Sequence, residues 1–363
     1  MERVYKTLWR QGTGKSDVEK IILYPTFLCN MSCSYCFYHK MNGGEISLND
    51  FKKAFIKFIK ISKNPELVIL GGEPTLYKNL INIIDKAKEI NNDTVVTLFT
   101  NGTLINKKLS DYIVKNRINL VISLDGEKAS NDQQKNNLIT NRSAYDTTLS
   151  NLKRYKLIKL STVNIVITKK TLKFLNKNIT HLHSLGFNSI GFNIDYSDNW
   201  EEKDKIELKK QIKSLFLDYA KKLKTNKKLF RFSNIYEIFD FLKYGDLPKC
   251  QNIILLPDGK FYLCDKIVTA NGKNKKKFMI KNDILSERAK FFKDMKKKGL
   301  ANNQLFCKIG LYLYFRYFKN LKNKKLQEKL KNVFELQKIL EKELVRYISI
   351  LASNKRFRRL HRI

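Results

Sequence analysis

The sequence predicts an α/β protein: a partial (β/α)6 barrel of the TIM type, then a small hairpin unit and a basic helical C-terminal tail. Three observations carry this expectation. Six short runs rich in Val, Ile, Leu and Thr lie between residues 19 and 195 of a 363-residue chain. Helix-length segments separate them, and Gly, Asn, Asp or Thr punctuates their ends. Runs of this kind are strands buried on both faces, and their alternation with helices implies parallel βαβ units with right-handed crossovers.

Taken in order, residues 1–18 precede the first strand, EKIILYPTF (19–27), after which come Cys29, Cys33 and Cys36. The next segment, about 48 to 62, places Phe51, Phe55, Phe58 and Ile59 at helical spacing. Ser47 stands where a helix N-cap is needed, with Asp50 three residues on. ELVILG (66–71), TVVTLFT (94–100), INLVISLDG (118–126), LSTVNIVIT (160–168) and SIGFNID (189–195) supply the other five strands of a core spanning 19–199. In βα folds chemistry sits at the C-terminal ends of strands, so the cysteines belong at that mouth. Residues 200–249 read as a charged helical bridge. Residues 250–268 read as a hairpin, QNIILL and KFYLCDKI about a PDGK turn, opening a unit that runs to 310. NGKNKKK (271–277) reads as a loop. In the tail, 311–363, Leu326, Leu330, Val333, Leu340, Leu344, Tyr347 and Leu351 follow a 4-3 spacing with Gln337 in one slot. That is either a heptad seam or an amphipathic helix packed on the body.

Composition narrows the setting. The 71 Lys and Arg against 34 Asp and Glu give a formal charge of +37, a field that attracts polyanions. The abundance of Lys, Asn and Ile offers a purely compositional explanation. From Lys308 to Ile363 there are 16 basic and 4 acidic residues, densest in KRFRRLHR (355–362). This tail either grips an acidic leader peptide, RNA or a membrane surface, or is a solvated helix face with a frayed end. The first twenty residues hold no apolar signal core, and no uncharged apolar run approaches the ~18 residues of a membrane span. A cytoplasmic protein without a transmembrane segment is expected, and in that compartment clustered cysteines are metal or redox sites.

The spacing C-x3-C-x2-C leaves two readings from the residues alone. His39 would complete a Cys3His zinc site. Alternatively, three thiolates hold a [4Fe–4S] cluster with one iron open to a small molecule. Here Cys29-Asn30-Met31-Ser32-Cys33-Ser34-Tyr35-Cys36 resembles the CxxxCxφC signature of the radical S-adenosylmethionine (SAM) enzymes. Further stretches are similar to that family in order and spacing: Gly71-Gly72-Glu73-Pro74, Thr100-Asn101-Gly102-Thr103 and Ser123-Leu124-Asp125-Gly126.

The resemblance implies that Cys29, Cys33 and Cys36 hold the cluster and that SAM completes it. It implies SAM contacts from Tyr35, Gly71, Gly72, Glu73, Pro74, Thr100, Asn101, Ser123, Asp125, Arg142 and Asn164, with Phe37 and Tyr38 near the adenine. Asp195, ending the sixth strand, is a candidate for substrate contact or acid–base work. CQNIILLPDGKFYLC (250–264) resembles the opening of the SPASM and twitch extensions, where such a hairpin feeds an auxiliary iron–sulfur cluster. On that resemblance Cys250, Cys264 and Cys307 are ligands of an auxiliary cluster in a shortened, twitch-like unit. The alternatives are buried apolar cysteines without a cluster, or Cys307 as a hydrogen-atom donor. The implied activity is reductive cleavage of SAM to a 5′-deoxyadenosyl radical that abstracts hydrogen from a ribosomally made peptide, for crosslinking or epimerisation. A small-molecule or nucleotide-derived substrate and an RNA-directed role stand as alternatives. An electron donor such as flavodoxin or ferredoxin is implied as partner.

Overall fold

A computed structural model of the chain describes residues 18–36, 44–138, 142–225, 227–233, 250–268, 272–298, 300, 312–313, 316 and 323–361. Phe37, Tyr38, His39 and Cys307 lie outside the described residues. The strands are β1 (Lys20–Leu23), β2 (Met31–Cys33), β3 (Glu66–Ile69), β4 (Val95–Thr100), β5 (Asn119–Ser123), β6 (Lys135–Asn137), β7 (Ser161–Ile167), β8 (Ser189–Ile194), β9 (Arg231–Phe232), β10 (Asn252–Leu255) and β11 (Phe261–Tyr262). The helices are α1 (Leu48–Ile59), α2 (Leu80–Ile90), α3 (Lys107–Lys115), α4 (Lys128–Asp132), α5 (Ala144–Arg154), α6 (Leu175–Ser184), α7 (Glu202–Lys224), α8 (Gly272–Lys276), α9 (Ile284–Lys297), α10 (Asn323–Ala352) and α11 (Lys355–His361).

All six expected strands form and run parallel as neighbours, β1-β3-β4-β5-β7-β8. Helix α1 begins at the expected cap, with the Ser47 side chain accepting from the Asp50 N–H. The hairpin forms as well, closed by Gly259 N–H on the Leu256 carbonyl at 2.9 Å. Its first strand, however, pairs in parallel with β1, so the hairpin extends the barrel sheet. The edge of β1 would otherwise leave a row of unpaired backbone groups. The strand β9, two residues long, continues the other edge beside β8. The Lys-rich stretch expected as a loop carries the helical turn α8.

Alternation along each strand sorts two surfaces. Ile21, Leu23, Leu67, Ile69, Leu98, Ile122 and Val163 face the helical layer and join Phe51, Phe55 and Phe58 in the main core. The opposite, inner face divides. On β1, β3 and β10 it carries Ile22, Tyr24, Val68, Ile254 and Leu256, covered by Phe278, Phe291, Met295 and Leu313 of the C-terminal region. On β5, β7 and β8 it carries Asn119, Val121, Ser123, Asn164, Val166 and Asn193, which are half-buried or exposed.

The tail packs on the body. In α10, Leu336, Leu340, Leu344, Ile348 and Leu351 enter the main core, and Tyr347 stacks on Phe216 of α7 at 5.4 Å. The amphipathic reading therefore holds over the heptad seam. The expectation of a frayed end fails over the described residues: Phe357 and His361 are fully buried. Arg356 donates to the carbonyls of Lys222, Leu223 and Lys227 at the end of α7. Arg358 donates to Ala352 and Ser353 carbonyls at the end of α10. Part of the densest basic patch thus caps helix ends, where cations oppose the unpaired carbonyls.

Candidate active site

Cys29, Cys33 and Cys36 occupy the loop leaving β1, at the C-terminal mouth of the sheet. The loop is built on two supports. The first is the pair Gly71 and Gly72 at the end of β3. A Cβ on Gly72 would stand 2.1 Å from the Leu28 carbonyl oxygen, and one on Gly71 2.7 Å from that of Thr26. Gly71 also has φ of +136°, a conformation that side chains disfavour. The glycines let the loop approach closely: Gly72 and Glu73 N–H donate to Thr26 and Leu28 carbonyls at 3.1 and 2.8 Å.

The second support is a buried polar network. Asn30, between the first two cysteines, donates to Thr103 Oγ1 at 2.8 Å and accepts from Asn101 Nδ2 at 2.8 Å. Asn101 Oδ1 accepts from the Thr103 N–H and hydroxyl. Glu73, only 1% exposed, accepts through Oε1 from Thr75 and Thr100 hydroxyls and through Oε2 from the Asn101 N–H. Burial pushes its pKa up, and these same hydrogen bonds oppose the push. Leaving any buried member unpaired costs about 1–3 kcal/mol, so the loop's path is tightly specified.

On the other side, Asp125 is fully buried. Its Oδ1 accepts from the Val166 N–H, and its Oδ2 from Tyr35 Oη at 2.8 Å and Gln134 Nε2 at 3.1 Å. Lys135 lies 3.3 Å from it. Tyr35 is thus tethered by its hydroxyl, and burial with the adjacent carboxylate pushes its pKa well up. The carboxylates of Glu73 and Asp125 accept from protein groups that position the loop. Asn164 Oδ1 accepts from Asn193 on the open inner face at 2.8 Å. Pro74 opens a short 3-10 turn capped by Glu73. Arg142 is exposed just before α5. Asp195 spends one oxygen on the Ser197 N–H and hydroxyl, at 2.9 and 2.6 Å.

Reasoning from sequence missed Asn30, Gln134, Lys135 and Thr103 as supports. The stretch QQKNN (133–137) carries no alternation, yet β6 pairs antiparallel with β2 and brings Lys135 opposite Cys33. His183 is structural, bonding the Phe187 and Lys228 carbonyls.

The three thiols have the chemistry of cluster ligands, while among the described residues no three such side chains are gathered about one point. They are soft ligands on one loop, close enough to raise one another's pKa. Burial first of all pushes Cys33 up to about 12, against the pull of Lys135. Cys29, exposed at the rim yet crowded beneath, is pushed up to about 11. A metal-bound thiol is deprotonated outright, so iron binding would displace these protons. Cys250 and Cys264 lie elsewhere. Because β10 runs parallel to β1, Cys250 precedes the strand at the end of the sheet opposite the first cysteines. Arg288, itself buried, donates to the Cys250 and Asn252 carbonyls, and Cys264 contacts Asp265.

The sequence profile of the radical SAM superfamily matches residues 23–172, the segment holding this loop and its supports. A cysteine-type anaerobic sulfatase-maturating enzyme of Clostridium novyi is 28% identical over 163 residues, 41% of this chain and 43% of that protein. The first curated relatives match over 63%, 43% and 55% of their own lengths, so the chain spans about half of them. The structure of histidine-tagged anSMEcpe with bound AdoMet shares the fold at a TM-score of 0.66, covering 90% of this chain and 99% of that one at 18% identity. Streptococcus suis SuiB bound to precursor peptide SuiA does so at 0.55, covering 75% and 65% at 18% identity. No described helix is long and apolar enough to cross a membrane. The mouth-side cysteine loop and the profile that contains it show a radical SAM domain over residues 23–172, the domain of an enzyme family that uses a [4Fe–4S] cluster and SAM.

Proposed function

We propose that the enzyme modifies a ribosomally made peptide by hydrogen abstraction. When bound, a [4Fe–4S] cluster and SAM supply one-electron cleavage of SAM to a 5′-deoxyadenosyl radical. Cys29, Cys33 and Cys36 would hold that cluster. Asn30, Asn101, Thr103 and Glu73 fix the loop before anything binds, and Asp125 fixes Tyr35. Thr100, Ser123 and Asn164, on β4, β5 and β7, would meet SAM. The buried inner face on β1, β3 and β10 excludes water from one side. The polar inner face on β5, β7 and β8 leaves an open lane for substrate.

The observation that carries this reading is that lane: exposed Asn193 and half-buried Asn164 offer amide donors and acceptors beside the mouth, groups that match a peptide backbone. The anSMEcpe structure with Kp18Cys peptide and the SuiB structure with precursor peptide SuiA support it by likeness. Cys250 and Cys264, with Cys307, would hold an auxiliary cluster at the far end. A one-electron donor of flavodoxin or ferredoxin type would reduce the first cluster.

The test is anaerobic reconstitution with SAM, dithionite and peptides encoded beside the gene. The reading expects 5′-deoxyadenosine together with a peptide of altered mass or altered stereochemistry. Formation of 5′-deoxyadenosine with no peptide change, and stimulation by a small metabolite instead, would move the substrate to the small-molecule class.

A further inference from the structure

One buried cation stands beside the cysteine loop without a part in the chemistry described above. Lys135 is 3% exposed. Its Nζ donates to the Ser123 carbonyl at 2.8 Å and the Ser123 hydroxyl at 3.0 Å, and lies 3.3 Å from Asp125 Oδ2. A lysine so placed is costly, since removing an ammonium from water is repaid only by close partners. It also sits in register with a cluster ligand. In the β2·β6 ladder, Ser34 N–H donates to the Gln134 carbonyl and Leu138 N–H to the Asn30 carbonyl. Hydrogen-bonded pairs alternate, so Cys33 and Lys135 form a non-hydrogen-bonded pair, the kind whose side chains stand closest, with Cβ atoms about 4.5–5.5 Å apart on one face.

We propose that Lys135 is a positioning residue that sets the reduction potential of the cluster held by Cys29, Cys33 and Cys36. This rests on the radical SAM reading of the site. The cluster gains one negative charge on accepting one electron, and the donor loses that electron. A fixed cation in a low-dielectric site favours the more negative, reduced state, and charge beside an iron–sulfur cluster is among the protein's means of tuning it. Asp125 pulls the other way. Its Oδ2, the oxygen 3.3 Å from the ammonium, also accepts from Tyr35 and Gln134, and its Oδ1 accepts from the Val166 N–H. The ammonium is the member of the pair in register with Cys33, and of the two charges it acts the more strongly on the Cys33 thiol.

The experiment is a redox titration of the reconstituted full chain without SAM, following the reduced cluster by electron paramagnetic resonance. Iron and sulfide content of the wild type comes first. Wild type that binds neither overturns the radical SAM reading itself. With the cluster present, Lys135→Met is expected to be at least tenfold less reduced at the wild-type midpoint, about 59 mV for one electron. Lys135→Arg is expected to stay within threefold of wild type. Asp125→Asn, which keeps the side chain's shape, is expected to shift the potential upward, and it decides the matter if Lys135→Met does not fold. A Lys135→Met chain with a full cluster and an unmoved midpoint overturns the proposal. So does an Asp125→Asn midpoint that falls.

Discussion

Cys29, Cys33 and Cys36 ride on a loop held by a buried network of Asn30, Asn101, Thr103, Glu73 and Asp125, with Lys135 ion-paired to Asp125. Cys250 and Cys264 flank a hairpin held by ladder bonds, apolar packing and Arg288. The first set has been given fixed positions at the expense of burying charge and amide groups. The second inherits its positions from a sheet edge. Buried polar networks specify one geometry because each unmet partner is penalised, whereas apolar packing tolerates rearrangement. The backbone path of the first loop is therefore specified by the protein's own hydrogen bonds, although among the described residues no three ligand side chains are gathered as a metal ion needs.

The sharpest way to break this contrast is to remove thiols from each set. Cys33→Ala is expected to abolish 5′-deoxyadenosine formation, by at least ~1000-fold, a loss of about 4 kcal/mol of barrier lowering. Cys250→Ala with Cys264→Ala is expected to lower bound iron from about eight to about four per chain and leave SAM cleavage within about tenfold. Equal losses from both changes would erase the distinction. Next comes Gly72→Ala. Its Cβ would meet the Leu28 carbonyl, so the cysteine loop must move, and loss of cluster loading is expected with the far-UV spectrum preserved. A fully loaded variant would show that the loop is not pinned there.

A third change probes the region remote from both cysteine sets. His361 accepts from the Phe232 N–H through Nε2, and burial pulls its pKa down from 6.5 to about 4. The folded state thus favours the neutral ring. Stability is fully present above pH 6.5 and is lost as pH falls from there toward 4, by roughly 3 kcal/mol at most. Thermal unfolding at pH 7.5 and 5.0 should show this slope in wild type and a flatter one in His361→Gln. The smallest effect is expected from Asp195→Asn. Its Ser197 turn is worth about 1 kcal/mol, and SAM cleavage should remain within threefold; a hundredfold fall would restore Asp195 as an acid–base group.

Much of the fold was legible because strand and helix periods leave strong marks. TVVTLFT and LSTVNIVIT can bury both faces only as central strands, and Ser47 with Asp50 marks a cap. The short β9 offered two residues, too few for any period. The pairing of β10 with β1 was hidden for another reason: about 230 residues separate the partners, and edge pairing leaves no local signal. At the site, the cysteine spacing was explicit, but the supports were not. Asn30 and Lys135 are ordinary polar letters whose burial arises only when the loop folds back on β6. For Gly71 and Gly72 the family resemblance implies room for SAM; the geometry shows that they make room for the Thr26–Leu28 backbone.

The central claim is that the first cysteine loop holds the cluster that cleaves SAM. Its most direct measurement is 5′-deoxyadenosine production by anaerobically reconstituted wild type and Cys33→Ala, with iron and sulfide assayed in the same samples. The account predicts about four or more irons per wild-type chain, dithionite-dependent 5′-deoxyadenosine, and none from the variant. Wild type that binds no iron and sulfide, or a variant that cleaves SAM as fast as wild type, would contradict it.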